Sequence, residues 1–346
     1  MKSKTMRIAQ LAPLWERVPP PAYGGIEVVV HVLTEELVRR GHEVTLFASG
    51  DSLTTARLIS VWDRSLRTAA DIVNPAPYEW LHVAEALSRA HEFDIIHNHQ
   101  GELAMAFANL VDTPMLTTVH NPPPKDSRIV WEHYRGFYNT VSRSGRKGLP
   151  RKNYLGVVYN SIDVDSFPFT EKKDGYLLYL GRMSRVKGPH VAIEVARRLG
   201  RKLVMAGKVG VEDVDHFTRV VGPMIDGKLV QYLGEADGDL KRKLYSSASC
   251  LLFPIRWNEP FGLVLVEAMA CGTPVVAFNE GAAPEIIVDG QTGYLVNDLD
   301  EMVSAVRKVD QIDPSVCRQH VQDRFNVQRL ADDYLAMYDL ALQMSR

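Results

Sequence analysis

The sequence has no long apolar run, no closely spaced pair of cysteines and almost no net charge. Its 346 residues include 40 basic and 42 acidic side chains, which give a formal charge of −2 at pH 7. No overall electrostatic attraction to nucleic acid or to an anionic membrane is therefore expected. No stretch approaches the roughly 18 consecutive apolar residues of a membrane-spanning helix. These absences argue against a nucleic-acid-binding protein and against an integral membrane protein.

The three cysteines, Cys250, Cys271 and Cys317, are odd in number, and each lies in an apolar or helical stretch. This pattern is typical of reduced structural thiols rather than of a disulfide framework or a thiolate zinc site. The apolar stretch 8–14 is interrupted by a glutamine and a proline, so it is too short and too polar for a secretory signal. We therefore expect a cytoplasmic protein.

Short apolar runs alternate with helix-length amphipathic segments along the chain. The runs that predict strands are 7–11, 43–48, 94–97, 115–119, 140–142, 157–159, 176–180, 202–206, 229–233, 250–253, 274–278 and 293–296. Unbroken apolar runs are typical of strands that are buried on both faces of a parallel sheet. The pattern predicts an α/β protein with two Rossmann-like, doubly wound parallel-sheet domains that face each other across a cleft.

The domain boundary is predicted within 160–175, a stretch that lacks periodicity and ends in charged residues and a glycine. We assign 1–165 to a first domain and 166–325 to a second domain. The remaining residues, 326–346, form an amphipathic helix with no strand after it. We expect this helix to pack back on the first domain.

Two glycine-containing segments are placed to bind an anion. Gly24 and Gly25 stand directly before a helical pattern over 26–40, where free backbone N–H groups and the helix dipole favour negative charge; an ordinary glycine turn explains the pair equally well. The segment 180–188 follows a predicted buried strand and opens a helix. Its Arg182 and Lys187 side chains are suited to clamp a diphosphate.

A further set of candidate residues follows the predicted strand 250–253. Glu259 stands before an apolar helical pattern and Glu267 lies within it. A carboxylate there needs a partner to offset its desolvation, and ribose hydroxyls and a salt bridge are the two candidates. Backbone amides of the first turn, at Phe261, Gly262 and Leu263, are placed to meet a phosphate or a sugar hydroxyl.

The sequence predicts no metal site. His97 and His99 project to one side of a strand end, but no third ligand falls at a suitable spacing, so substrate contact or core hydrogen bonding is favoured over zinc. Four Asp-x-Asp pairs are interpreted as helix caps and surface loops rather than as Mg²⁺ ligands. These pairs are 163/165, 213/215, 237/239 and 298/300.

The stretch 259–276, E-P-F-G-L-V-L-V-E-A-M-A-C-G-T-P-V-V, resembles the E-x(7)-E signature of the retaining family-4 glycosyltransferases with the GT-B fold. The resemblance extends to L-G-R-M-S-R-V-K-G at 180–188, A-A-P-E-I-I-V-D-G-Q-T-G-Y-L-V at 282–296, L-T-T-V-H at 116–120, V-Y-N-S-I-D at 158–163 and the Gly24-Gly25 pair. It covers nearly the whole chain. Departures from the common pattern at 254–258, 281–283 and 159–160 affect sugar choice or acceptor shape more than the reaction class.

The resemblance implies four catalytic residues. Arg182 and Lys187 would neutralise the donor diphosphate, Glu259 would bind hydroxyls of the transferred sugar, and His120 would hydrogen bond the sugar from the end of a buried strand. Further donor contacts are implied for Gly24, Gly25, Gly207, Leu233, Phe261, Gly262, Leu263 and Glu267. His99 and Asn160 are expected on the acceptor side.

The implied activity is transfer of a sugar from a nucleotide-sugar donor, with a UDP-sugar favoured, to an acceptor hydroxyl. The anomeric configuration would be retained, and no metal or cofactor would be required. The first domain would bind the acceptor and the second the donor. The opening stretch 12–27 is similar to a subgroup that acts on small soluble acceptors. A nucleotide-sugar epimerase of the same fold and a non-catalytic sugar-nucleotide binding protein are the alternatives.

Five basic residues cluster in the first domain, at Arg143, Arg146, Lys147, Arg151 and Lys152. No hydrophobic face accompanies them, so a solvated loop is favoured over an anionic acceptor site or contact with a lipid surface.

Overall fold

The computed structural model describes residues 5–22 and 24–345, which form two compact units. The first unit runs to Ser161 and resumes at Val327, and the second is Ile162–Asn326. The first boundary falls slightly earlier than the sequence predicts. Ile162 pairs with Asn326 in an isolated bridge, and its N–H donates to the carbonyl oxygen of Phe325 at 3.0 Å, so this residue belongs to the second unit.

The first unit contains a seven-stranded parallel sheet in the order β3-β2-β1-β4-β5-β6-β7. Its strands are β1 (Arg7–Leu11), β2 (Glu43–Phe47), β3 (Arg57–Ile59), β4 (Ile95–Asn98), β5 (Met115–Val119), β6 (Phe137–Thr140) and β7 (Tyr154–Val157). The order reverses between β1 and β4. In doubly wound sheets ligands bind outside the carboxyl ends of the strands at such a reversal.

Helices cover this sheet: α1 (Gly25–Arg39), α2 (Ala76–Ser88), α3 (Glu102–Phe107), α4 (Arg128–His133) and α12 (Val327–Met344). The last of these lies in the first unit, where it packs on α1, β5 and β7. Its stripe of Leu330, Tyr334, Tyr338 and Ala341 is fully buried. These residues recur at the three- and four-residue spacing of one helix face, which explains why this face packs inward.

The second unit contains a six-stranded parallel sheet in the order β10-β9-β8-β11-β12-β13. Its strands are β8 (Leu177–Leu180), β9 (Leu203–Ala206), β10 (Val230–Tyr232), β11 (Cys250–Phe253), β12 (Val275–Phe278) and β13 (Gly293–Val296). The order reverses between β8 and β11. The loops that leave these two strands carry the arginine–lysine segment and the first glutamate of the E-x(7)-E stretch.

The helices of the second unit are α5 (Pro189–Leu199), α6 (Val214–His216), α7 (Gly238–Ser247), α8 (Leu263–Ala270), α9 (Ala283–Ile286), α10 (Leu299–Val306) and α11 (Pro314–Arg324). Buried aliphatic residues of α5 and α10 pack against the strands to form the core of this unit. Cys250, Cys271 and Cys317 are free and buried, as the sequence predicts. Within the described residues, no helix is both long enough and apolar enough to cross a bilayer.

Two predicted strands are misplaced and one strand was not predicted. The runs at 140–142 and 157–159 lie mostly beyond β6 and β7, because Val141, Ser142 and Val158 are buried in the loops that follow these strands. β6 itself includes the buried polar residue Asn139, which breaks the apolar pattern. β3 has only three residues at the edge of the sheet, and none of them is buried, so no apolar run indicates it.

Candidate functional site

The two loops at the reversal of the second sheet meet through an ion pair. Lys187 Nζ contacts Glu259 Oε2, and it lies 5.1 Å from the centroid of the Trp257 ring. The indole Nε1–H of Trp257 donates to the same carboxylate oxygen at 2.6 Å. A cation, a carboxylate and an aromatic ring, two of them predicted from separate motifs, therefore form one cluster at the carboxyl edge of the sheet.

Glycines permit this close approach. Gly188 has φ +72°, and a Cβ there would lie 2.3 Å from the carbonyl oxygen of Pro254. Gly281 has φ +56°, and a Cβ there would lie 2.5 Å from the backbone nitrogen of Glu259. Any side chain at either position would push the Glu259 loop away from its neighbours.

Arg182 lies on the same edge, and its guanidinium is held by two carboxylates. Nη1 is 2.6 Å from Glu212 Oε1, and Nε is 3.2 Å from Asp213 Oδ2. The hydroxyl of Tyr179 donates to the Arg182 carbonyl oxygen at 3.0 Å, which anchors the loop to β8. The interpretation of the 213/215 pair as a cap or surface loop is wrong for Asp213, because this residue is buried against Arg182.

Two other predicted caps are confirmed. Asp237 accepts from the Leu240 N–H at the start of α7, and Asp298 accepts from the Glu301 N–H at the start of α10. These carboxylates satisfy helix N–H groups. Within the described residues, no group of three or more histidine, cysteine, aspartate or glutamate side chains is placed to hold a metal ion.

The turns after β8, β9 and β10 interlock. Gly207 has φ +145°, and a Cβ there would lie 1.9 Å from the carbonyl oxygen of Gly181. The Gly207 N–H donates to the carbonyl oxygen of Gly234 at 2.8 Å, and the Gly207 carbonyl oxygen accepts from the hydroxyl of Tyr232 at 2.7 Å. Leu233, between these turns, is partly exposed. The turns that carry the two implied donor contacts Gly207 and Leu233 are thus adjacent and hydrogen-bonded to each other.

Helix α8 begins directly after Gly262, which has φ +88°, and Leu263 is its first residue. Phe261 is buried and packs edge-on against Phe325, with the ring centroids 5.8 Å apart. Glu267 is buried: its Oε2 accepts from the Tyr245 hydroxyl at 2.6 Å, and its Oε1 pairs with Lys241 Nζ at 3.4 Å. Protein partners therefore offset the desolvation of this carboxylate.

In the first unit, Gly24 precedes α1, which begins at Gly25. Gly24 has φ +148°, and a Cβ there would lie 2.7 Å from Pro20 Cβ and 2.9 Å from Glu27 Oε2. Burial raises the pKa of Glu27 to about 7. This carboxyl is therefore partly protonated near neutral pH, which weakens its repulsion of an anion at the glycine pair.

Three histidines lie at the carboxyl ends of β4 and β5. His99 Nδ1 and His120 Nε2 are 2.9 Å apart, and the His97 and His99 ring centroids are 3.9 Å apart. Burial lowers the pKa of His120 to about 3 and holds the pKa values of His97 and His99 well below the usual range. All three rings are therefore neutral near pH 7. His97 is bonded to Tyr338 and Thr118 within the core, which agrees with the core hydrogen bonding considered for it.

Asn160 follows β7 and is buried, and its Oδ1 has no hydrogen-bond partner within the described part of the chain. In the basic cluster, the Arg146 guanidinium stacks on Tyr154 at 4.3 Å from the ring centroid. Arg146 is thus held against the sheet, whereas Arg143, Arg151 and Lys152 are exposed.

Sequence reasoning missed four residues that contact the candidate site residues: Trp257, Glu212, Gly281 and Glu27. Trp257 was noted only as a departure from the family pattern, although a tryptophan two residues before a candidate carboxylate was a usable signal. Glu27 lies two residues after the glycine pair, in the first turn of a helix. Gly281 enters the sequence analysis only as part of the departure at 281–283. For Glu212 the sequence carries no signal, because its contact depends on how distant loops meet.

Two family models match the chain. "Glycosyltransferase Family 4" matches residues 23–165, and "Glycosyl transferases group 1" matches residues 162–313. An uncharacterized glycosyltransferase of Methanocaldococcus jannaschii is 26% identical, with 98% of this chain and 99% of the relative covered.

Two solved structures share the two-sheet architecture. AviGT4, a glycosyltransferase involved in avilamycin A biosynthesis, has a TM-score of 0.73 at 25% identity, with 98% of both chains covered. Anabaena HepE in complex with UDP-glucose has a TM-score of 0.74 at 18% identity, with 96% of this chain and 99% of HepE covered.

Proposed function

Since the chain belongs to the group 1 glycosyl transferases and has their GT-B fold, we propose that it transfers a sugar from a UDP-sugar to an acceptor hydroxyl, with retention of configuration and without a metal ion. The observation that carries the proposal is the contact between Lys187 and Glu259 at the strand-order reversal of the second sheet. HepE, which shares the fold, binds UDP-glucose, which supports a UDP-sugar as the donor.

The first requirement of the reaction is to stabilise the leaving diphosphate. Lys187 supplies a point charge, and Arg182 supplies a planar fork of N–H donors. The N–H groups at the start of α8 add helix-dipole stabilisation. Preorganised charges of this kind stabilise the transition state most where water is excluded. In this proposal they replace the divalent cation that many phosphate-transfer enzymes use.

The second requirement is to position the sugar. The Glu259 carboxylate accepts from Trp257 and pairs with Lys187, so its remaining lone pairs are available to sugar hydroxyls. The same restraint argues against Glu259 as a nucleophile in a double displacement. We therefore favour front-face attack, in which the bond from C1 to the phosphate oxygen breaks and the acceptor oxygen bonds C1 on the same face. The departing phosphate oxygen takes the acceptor's proton.

The acceptor is assigned to the first unit, and a small soluble molecule is favoured. Asn160 lies at the carboxyl edge of its sheet, after β7. His99, expected on the acceptor side from the sequence, is buried with both ring nitrogens bonded to Gln10 and His120, so it is not assigned a direct acceptor contact. The buried and unpaired Oδ1 of Asn160 is a hydrogen-bond acceptor that a hydroxyl donor would satisfy.

The test is slow donor hydrolysis, which requires no acceptor. We expect the protein to release UDP from at least one UDP-sugar, more rapidly than GDP from GDP-sugars and equally well in EDTA. Lys187→Ala should lower this rate by about two to three orders of magnitude, because it removes a charge from the leaving group. Arg185→Ala is the matched control: it removes an exposed cation from the same loop and should leave the rate within about twofold.

Three results would contradict the proposal. Conversion of the UDP-sugar to its epimer without transfer would indicate an isomerase. Tight binding of the UDP-sugar with no turnover, in the presence of a broad acceptor set, would indicate a binding protein. Activity abolished by EDTA and restored by Mn²⁺ would contradict the assignment of leaving-group stabilisation to Lys187 and Arg182 alone. The anomeric configuration of the product, read by NMR, tests retention.

A further inference from the structure

A chain of buried hydrogen bonds joins the middle of the first sheet to His120. It begins at Thr118 in β5, whose hydroxyl donates to Asn139 Oδ1 at 2.8 Å. The Asn139 Nδ2 group points instead to the Thr140 carbonyl oxygen, 3.5 Å away. A hydroxyl has a single hydrogen, so every other neighbour of Thr118 Oγ1 must donate to it.

His97 is such a neighbour, with its Nε2 2.7 Å from Thr118 Oγ1. Its Nε2 therefore carries the proton, and in a neutral ring its Nδ1 is then a lone-pair acceptor. The hydroxyl of Tyr338, 2.7 Å from this Nδ1, must donate to it. Tyr338 Oη is thereby free to accept from Gln10 Nε2 at 3.1 Å.

The orientation of the Gln10 amide then determines which ring nitrogens of His99 and His120 carry a proton. With Nε2 directed at Tyr338, Oε1 faces His99 Nε2 at 2.8 Å and must accept its proton. His99 Nδ1 is then a lone-pair acceptor, and it lies 2.9 Å from His120 Nε2. Gln10, His97, His99 and Tyr338 are each at most 3% exposed, so no water competes for these bonds.

We infer that Tyr338, Gln10 and His99 are positioning residues that fix the proton of the neutral His120 ring on Nε2, so that Nδ1 presents a lone pair to the donor sugar. The order of the protons follows from the first unit alone, and only the contact with the sugar rests on the proposed function. His120 would then accept a hydrogen bond from a sugar hydroxyl and would not donate one to the sugar ring oxygen or to phosphate.

His120 can keep this role near neutral pH. Its Nδ1 makes no hydrogen bond to any described residue of the chain. Because burial lowers the pKa of His120 to about 3, the lone pair is not lost to protonation. Tyr338, on α12, thereby determines that the sugar meets a lone pair of His120 and not an N–H group.

The proton position is measured by NMR of the full chain with ¹⁵N-labelled histidine. The signals of His120 are identified among the 11 histidines as those that His120→Asn removes. We expect a protonated Nε2 and an unprotonated Nδ1 at pH 7. The opposite tautomer, or an equal mixture of the two, in the wild-type protein would overturn the inference whatever the variants do.

Two matched variants test whether Tyr338 sets this order. Tyr338→Phe removes the donor to His97 and the acceptor for Gln10, so both His120 tautomers should appear. Tyr334→Phe is the control: Tyr334 is equally buried one turn earlier on α12, but its hydroxyl contacts Thr118, at 3.0 Å, and Asn139 instead of His97 and Gln10. It should leave the tautomer unchanged. An unaltered spectrum in Tyr338→Phe, or the same change in both variants, would overturn the inference. If Tyr338→Phe fails to fold, Gln10→Met breaks the same chain.

Donor hydrolysis tests the sugar contact separately. Turnover of Tyr338→Phe should fall with the fraction of the competent tautomer, about two- to fivefold, while UDP affinity stays within about twofold of wild type. Mixed tautomers with unchanged turnover would overturn the contact between Nδ1 and the sugar while leaving the proton order intact. Absence of any UDP-sugar turnover in the wild-type protein contradicts the proposed function and has no bearing on the spectrum.

Discussion

In the proposed donor site, the positive charge of Arg182 is opposed by two carboxylates. Its guanidinium pairs with Glu212, whose side chain is 63% exposed, and with the nearly buried Asp213. A diphosphate that binds Arg182 must compete with Glu212 for an N–H donor and with both carboxylates for the positive charge. The ion pair between Arg182 and the exposed Glu212 contributes little to the stability of the fold, because exposed ion pairs are worth at most about 1 kcal/mol.

We predict that Glu212→Gln tightens UDP binding, because it removes a negative charge that competes with the phosphates. The gain should be about two- to fivefold, which corresponds to less than about 1 kcal/mol. Titration calorimetry at constant ionic strength measures it. Glu194→Gln is the control, since Glu194 forms a similar exposed pair with Arg198 on α5 and should not change UDP affinity. Weaker binding in Glu212→Gln would contradict the proposed role of Arg182.

Residue types could be predicted at this site, but their partners could not. Lys187 and Glu259 stand out from their local motifs, yet their contact spans 72 positions of sequence. Asp213 sits in the same Asp-x-Asp pattern as Asp237 and Asp298, which are caps. It differs from them only because Arg182 approaches it from another loop, and no local pattern encodes that approach.

Elements were predictable where the buried side chains are apolar. β11 and β13 coincide with their apolar runs, and α12 coincides with its amphipathic stripe. β6 does not, because Asn139 in this strand is buried with hydrogen-bond partners instead of apolar ones. Asn139, one member of the polar chain that orders His120, therefore weakens the strand signal of β6.

We predict that Leu330→Ala destabilises the first unit through α12. Leu330 is fully buried, and truncation of a buried leucine costs about 2–5 kcal/mol. Hydrogen exchange should accelerate in α1, β5 and β7, which α12 contacts, and not in the second unit. Leu340→Ala on the same helix is the control, because Leu340 is 38% exposed and its loss should cost under about 1 kcal/mol. Similar exchange in the two variants would show that α12 is not integral to the first unit.

The stability of the whole molecule is tied to pH by histidines that are buried in the neutral form. His82, His97 and His99 all belong to the first unit and are at most 3% exposed. Burial lowers the pKa of His82 to about 4 from its usual 6.5, although its Nε2–H donates to the Ala12 carbonyl oxygen at 2.8 Å. The unfolded chain therefore binds protons at a pH where the folded chain does not.

The sign of this linkage gives the final prediction. The contribution of His82 to stability is fully present above pH 6.5 and is lost as the pH falls toward 4, since protons then favour the unfolded state. At pH 5 the loss of stability from this one group is about 2 kcal/mol.

His82→Gln keeps an N–H donor for Ala12 and cannot titrate. The free energy of unfolding of the first unit, measured in urea, should therefore fall less between pH 7.5 and pH 5 than in the wild-type protein. His91→Gln, at an exposed histidine, should keep the full wild-type dependence. Equal pH dependence in all three proteins would mean that His82 is not neutral in the folded state.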